Sequence, residues 1–167
     1  MLLVLQVISV FLVGVAMSLA LAHALEFPGK MRLDQRTYMA VQAIYYPGFT
    51  IGGAAEPLAI IATGILVLVI RNDGAAFWWS LASLIAVAAM HVVFWTVTQP
   101  TNHYWLKNQQ LSQAGARFFA IDQPNSEDRA ATNPNWTASR DRWEYSHIAR
   151  AALSAIALIS LAVAIAR

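Results

Sequence analysis

Four apolar segments, each about as long as a bilayer is thick, take up more than half of this 167-residue chain. They cover residues 2–25, 49–70, 75–98 and 148–166. A helix needs about 20 apolar residues to cross the hydrocarbon core of a membrane, because each residue advances it by roughly 1.5 Å. The sequence therefore predicts an all-α protein, an integral membrane four-helix bundle made by a single domain over residues 1–167.

Composition supports a membrane protein and excludes several function classes. Hydrophobic residues make up 58% of the chain and charged residues only 12%, which is rare in soluble domains. The absence of cysteine excludes disulfides, thiolate metal ligands and thiol nucleophiles. A net charge of +2 is too weak to indicate binding to nucleic acid. We therefore expect the membrane and hydrophobic small molecules as partners, and the sequence leaves a homo-oligomer open.

Two connectors join the predicted spans at one end of the bundle. The first predicts a short interfacial helix over residues 35–45, with Asp34 as its N-cap and with tyrosines suited to the headgroup level. This helix lies along the membrane surface, or it forms a lid over a site. The second connector, residues 99–146, predicts a long polar loop that caps the same end.

Threading the four spans through a bilayer gathers the polar residues at the end where the first segment finishes, here called side A. His91 lies roughly 10 Å inside an apolar run, and an ionisable residue at such a depth indicates a functional site. Glu56 follows a Gly-Gly pair and precedes Pro57, where broken backbone is expected to line a cavity. The histidines and acids that fall toward this end are His23, Glu26, Glu56, His91, His103, Glu144 and His147. The sequence predicts a shared pocket on side A.

Three kinds of chemistry remain open for that pocket. Histidines and carboxylates from several helices can hold a transition metal or a haem, and Glu144-x-x-His147 is half of a di-iron pattern. The ligand candidates would be His23, His91, His103, His147 and Glu144. The alternatives are acid–base chemistry without a metal, and a non-catalytic membrane subunit that binds lipid, a quinone or a partner protein.

Under the hypothesis of acid–base chemistry without a metal, individual residues have definite candidate roles. His147 or His91, with a glutamate such as Glu56 behind it, is the candidate base. Arg150 and Asn102 are candidates for holding a developing oxyanion. Substrate-binding candidates are Trp95, Trp105 and Trp143, which offer flat apolar walls, together with His23 and Glu26, which lie one helical turn apart.

Several short motifs resemble those of the anthrone oxygenase-like family of small four-helix membrane proteins. They are the run from His23 to Lys30, the Tyr-Pro-Gly-Phe of residues 46–49, Pro100-Thr-Asn102, and Trp143-x3-His147-x2-Arg150. The characterised fungal members oxidise anthrones to anthraquinones with molecular oxygen and without an evident cofactor. The resemblance implies a side A pocket with Asn102, His147 and Arg150 at its core, and no cofactor. Fungal members commonly have a second Asn after Pro-x-Asn, where this chain has His103.

The distribution of basic residues predicts the orientation. Nine of the eleven Lys and Arg residues lie toward side A, and only Arg71 and Arg167 lie toward the opposite end, side B. Cytoplasmic ends of membrane proteins carry an excess of Lys and Arg. We therefore expect an integral protein of a bacterial inner membrane, with side A in the cytoplasm.

Overall fold

All regular secondary structure in the described part of the chain is helical. The computed structural model describes residues 1–106, 115 and 135–167, without the side chains of Ala43, His103, Tyr104 and Leu106. The helices are α1 (Leu2–Lys30), α2 (Gln35–Gln42), α3 (Gly48–Gly52), α4 (Ala55–Val69), α5 (Gly74–Val93), α6 (Gln99–Leu106) and α7 (Trp136–Ile165). A 3₁₀ turn, Ala43–Tyr45, follows α2, and one π-helical turn, Phe94–Thr98, joins α5 to α6.

The predicted membrane bundle is confirmed. Four helical stretches are long and apolar enough to cross a membrane: Leu2–Lys30, Gly48–Val69, Gly74–Asn102 and Trp136–Ile165. Large apolar side chains such as Phe11, Leu68 and Ile159 remain exposed on the outside, as expected where lipid replaces water. The interior is made of smaller or branched side chains, including Val13, Ala59, Leu66, Val87, Ala157 and Leu161.

The second span is broken where the Gly-Gly pair and Pro57 predict a break. The helix ends at Gly52 and resumes at Ala55, which places Glu56 in the first turn of α4. A Cβ atom at Gly52 would meet Leu19 Cδ1 of α1 at 2.9 Å, so the Leu19 side chain packs directly over this glycine of α3. Pro57 lies in the first turn of α4, where a helix has no use for its missing N–H group.

Two helices continue through prolines that lie just beyond the predicted apolar segments 2–25 and 75–98. Helix α1 continues through Pro28 to Lys30, and this extra turn lets the Lys30 ammonium reach Glu26 at 2.9 Å. The third span likewise continues through Pro100. Pro100 has no N–H group for the carbonyl oxygen of Thr96, and Arg142 of α7 donates a hydrogen bond to that oxygen instead, at 3.2 Å.

The predicted loop over residues 99–146 is helical at both of its ends. Helix α6 occupies its first residues, and α7 begins at Trp136, well before the predicted span at 148. The polar start of α7 is held as a helix by packing, since Trp143, Glu144 and His147 are all buried. Residues 107–114 and 116–134 of the predicted capping loop lie outside the described residues.

The short interfacial helix is confirmed as α2 with its 3₁₀ extension. Asp34 caps it as predicted, because its Oδ1 atom accepts the Thr37 N–H at 2.8 Å. Tyr38 and Gln42 of α2 are buried, so this helix lies over the side A end of the bundle rather than loosely beside it.

Candidate functional site

A cavity of about 380 Å³ lies between the spans and α2, at the side A end. Nine of the ten residues that the sequence proposes for catalysis or substrate binding line it: His23, Glu56, His91, Trp95, Asn102, Trp105, Trp143, His147 and Arg150. Glu26, the tenth, lies outside its lining. Ligand cavities of this size are ordinary for small molecules, and most of the remaining wall is apolar or aromatic.

A buried ion pair lines one part of the cavity. Arg150 Nη2 donates to Glu56 Oε2 at 2.6 Å, and the Glu56 side chain is 4% exposed. Arg150 also stacks over the Phe94 ring at 5.1 Å. Its Nε atom is buried and has no hydrogen-bond partner among the described residues. A charged N–H donor therefore remains beside the cavity after the ion pair has formed.

Both ring nitrogens of His91 are already occupied. The Trp95 indole N–H donates to His91 Nε2 at 2.9 Å, which fixes that nitrogen as an acceptor. His91 Nδ1 therefore carries the proton and donates it to Glu56 Oε1 at 3.0 Å. In this arrangement His91 orients the Glu56 carboxylate and has no lone pair free for a substrate.

His147 carries its proton on the same nitrogen, but its acceptor nitrogen has no partner among the described residues. Its Nδ1 atom lies 2.9 Å from the carbonyl oxygen of Trp143, so Nδ1 must carry the proton and donate it. The Nε2 atom is then the acceptor in the neutral ring, and no hydrogen bond from the described residues reaches it. His147 is buried and lines the cavity, so it is the histidine placed to accept a proton there.

Aromatic rings surround the two neighbouring histidines. The His23 ring centroid lies 4.2 Å from that of His147 and 4.4 to 4.9 Å from those of Tyr45, Phe49 and Trp143. These rings give the cavity flat walls on which a planar ligand can stack.

Asn102 is bound to Trp143 rather than to Arg150. Its Oδ1 atom accepts the Trp143 indole N–H at 2.8 Å, and its Nδ2 atom lies 3.3 Å from Gln99 Oε1. Trp143 and Arg150 are seven residues apart on α7, about 10 Å along the helix. Asn102 and Arg150 therefore line different parts of the cavity, and Asn102 orients the Trp143 ring.

A second group of buried charges fastens α2 over the cavity. Glu144 is fully buried, and its Oε1 atom accepts the Tyr38 hydroxyl at 2.8 Å and lies 3.6 Å from Lys30 Nζ. Lys30 also lies over the rings of Tyr45 and Trp143, at 4.8 Å from each. We call Lys30, Glu144, Tyr38, Tyr45 and Glu26 the roof network.

The tyrosines of the roof network are held in the protonated form. Burial, with the neighbouring Glu144 carboxylate, raises the pKa of Tyr38. Burial and the hydrogen bond that the Tyr45 hydroxyl donates to Glu26 raise the pKa of Tyr45. Glu26 therefore supports the wall of the cavity through Tyr45 and does not itself line the cavity, and its contact with a substrate stays a prediction.

The candidate metal ligands do not converge within the described part of the chain, where no three His, Asp or Glu side chains form a group that could hold a metal ion. Glu144 faces Tyr38 and Lys30, whereas His147 faces the cavity, so the Glu144-x-x-His147 spacing does not make a shared site. The side chain of His103, the remaining candidate, lies outside the described residues.

Sequence reasoning missed two polar residues near the cavity. Gln42 lines it and is 4% exposed, and the buried Lys30 contacts the rings of Tyr45 and Trp143, which line it. Tyr38, Gln42 and Tyr45 are spaced i, i+4 and i+7, a pattern that indicates one buried face of a helix. Applied to residues 35–45, this pattern would have identified Gln42.

No family model, no curated protein and no solved structure matches this chain. The resemblance to the anthrone oxygenase-like family therefore stays a prediction carried by the short motifs.

Proposed function

We propose that the protein is a membrane-embedded oxygenase that acts, without metal or cofactor, on an electron-rich aromatic substrate of the anthrone or quinol type. The observation that carries the proposal is the pairing of His147 and Arg150 on one face of α7, at the wall of an aromatic cavity. One offers an unoccupied acceptor nitrogen, and the other offers a buried charged donor without a partner among the described residues.

For a substrate of the anthrone type, His147 Nε2 is proposed to remove a proton from the CH2 carbon opposite the carbonyl group, and the steps below are written for that substrate. The negative charge then moves onto the substrate oxygen, where Arg150 stabilises it. Glu56 and His91 hold Arg150 in place, and the buried setting strengthens each of these interactions. Because His147 Nδ1–H is bound to the Trp143 carbonyl, only one tautomer of the neutral ring is available, and it is the one with a basic Nε2.

Molecular oxygen is the second reactant. The carbanion transfers electrons to it and forms a carbon–oxygen bond, giving a peroxide that takes up the proton from His147. Loss of water then leaves a carbonyl group, so one oxygen atom enters the product and the other leaves as water. The two electrons required for that water come from the substrate C–H bonds, and no external reductant is needed.

The placement in the membrane is part of the proposal. The four apolar helices support an integral membrane protein, and the excess of Lys and Arg supports a cytoplasmic side A in a bacterial inner membrane. Apolar substrates dissolve in the bilayer, so a cavity between membrane helices is where such a substrate would be met.

An oxygen electrode tests the proposal with purified protein in mild detergent and 1,8-dihydroxyanthrone as the substrate. We expect oxygen uptake above the uncatalysed rate, and a loss of at least about 100-fold in kcat for His147→Ala, as is typical when a general base is removed. Ser154→Ala is the matched control, because Ser154 is buried on the same helix but does not line the cavity.

The two variants must first show the same helical content and thermal stability as the natural chain. Unchanged turnover in a folded His147→Ala protein would remove His147 from the mechanism. Absence of oxygen uptake in the natural chain with anthrones and hydroquinones would overturn the oxygenase.

A further inference from the structure

The cavity has a second polar position, contributed by α2, that the proposed reaction does not use. Gln42 of α2 is 4% exposed and lines the cavity. Its Nε2 atom is buried and has no hydrogen-bond partner in the described part of the chain. A buried amide N–H without a partner costs free energy, so such groups in native proteins generally meet a ligand or a water molecule.

Gln42 lies at the side A end of the cavity. Its neighbours are Tyr38 of α2, whose ring lies 5.2 Å from that of Trp105, and Tyr45 of the 3₁₀ extension, whose ring lies 6.1 Å from that of Trp143. Arg150 is about 10 Å from Trp143 along α7, deeper in the bundle. The cavity therefore has one donor near each end and aromatic rings between them.

The roof network holds Gln42 in position. Tyr38 of α2 and Tyr45 of its 3₁₀ extension flank Gln42, and each donates its hydroxyl to a carboxylate on a spanning helix, Glu144 of α7 and Glu26 of α1. Lys30 binds both carboxylates, which ties the two hydrogen bonds together. A donor fixed in this way loses little conformational entropy when it binds a ligand, which favours specific recognition.

We infer that Gln42 binds the second oxygen of a ligand that carries oxygens on opposite sides of its ring system, as para-quinones and anthraquinones do. Arg150 holds one oxygen and the Gln42 amide donates to the other. The choice of ligands rests on the proposed function. The inference also makes the proposed function more specific. The reaction would introduce a second oxygen on the ring carbon opposite the substrate carbonyl, and this new oxygen would meet Gln42 in the product.

Two ligands that differ by one oxygen test this inference: 9,10-anthraquinone, and anthrone under anaerobic conditions. Quenching of tryptophan fluorescence reports binding, since Trp95, Trp105 and Trp143 line the cavity. For Gln42→Met, which keeps the size of the side chain, we expect roughly tenfold weaker binding of anthraquinone, the upper range for one hydrogen bond. Anthrone should bind with less than about a twofold change.

Thr63→Val is the matched control, because it removes another buried polar group without a partner among the described residues, but one that does not line the cavity. Both ligands should bind to it unchanged. Equal weakening of both ligands by Gln42→Met would mean that Gln42 only supports the cavity. No change for either ligand, or no binding of either ligand to the natural chain, would also overturn the inference.

Failure of the inference and failure of the proposed function are distinguishable in this design. If Gln42→Met weakens anthraquinone binding selectively but the natural chain takes up no oxygen, the proposed oxygenase is wrong and the cavity is a quinone-binding site. If the natural chain takes up oxygen but Gln42→Met binds both ligands equally well or equally poorly, the proposed oxygenase stands and the proposed role of Gln42 is wrong.

Discussion

Two buried charge networks lie at the same end of the bundle, and they differ in what they leave available. Glu56, Arg150 and His91 line the cavity, and the Arg150 Nε–H remains without a partner among the described residues. In the roof network, Glu144 and Lys30 are both buried, and neither lines the cavity. Similar side chains thus leave a charged donor beside the cavity in one place and fix the position of a helix in the other.

The comparison shows that a buried ion pair is not by itself a sign of a catalytic site. Burying two charges carries a desolvation cost that their attraction often only balances. The roof network fixes the position of α2 over the cavity through the hydrogen bonds of Tyr38 and Tyr45. The cavity network holds the Arg150 guanidinium in a fixed orientation next to space that a ligand can fill.

The largest effect is expected where the cavity pair is broken. Arg150→Met leaves the buried Glu56 carboxylate with His91 alone, and removal of one member of a buried pair costs about 3–5 kcal/mol. Thermal unfolding in detergent, followed by circular dichroism, measures the loss. The double variant Glu56→Gln/Arg150→Met should recover most of it, and a double variant as unstable as the single one would contradict this account.

An intermediate effect separates the two tyrosines of the roof network. Tyr38→Phe removes a hydrogen bond to the fully buried Glu144 and should cost about 1.5–3 kcal/mol, the range for bonds to charged groups. Tyr45→Phe should cost about 1 kcal/mol or less, since its acceptor Glu26 is 44% exposed and can bind water. Denaturation of both variants at pH 8 gives the difference, and equal losses would show that burial of the acceptor does not matter here.

The smallest effect is local and depends on pH. The Thr37 N–H that Asp34 accepts lowers the pKa of Asp34, so the cap stabilises α2 above the ordinary aspartate pKa of about 3.9. This contribution is lost as the pH falls through the lowered value. Hydrogen exchange of the α2 amides should therefore speed up in Asp34→Ala at neutral pH. Asp34→Asn keeps the acceptor oxygen and should remain protected, and fast exchange in this variant would argue against the cap.

The four spans and the position of the pocket follow from local pattern. His91 and Glu56 lie toward the side A ends of two apolar runs of membrane length. If the spans alternate in direction, these polar groups must lie at the same end of the bundle. The continuation of the helices through Pro28 and Pro100 does not follow from the sequence. Proline weakens a helix, but Lys30 and Arg142 find partners across the bundle, and those partners are distant in sequence.

The sequence by itself determined which side chains reach side A, because hydropathy and helical periodicity fix the depth and the face of each residue. Only the tertiary structure decided what each of them touches. In the folded chain both nitrogens of His91 have partners, whereas His147 Nε2 remains an acceptor. Asn102 binds Trp143 and not Arg150, and the Gln42 amide is buried beside the cavity. Such pairings depend on the rotation and offset of packed helices. A shift of a few ångströms changes the partner of a hydrogen bond without changing the pattern of the sequence.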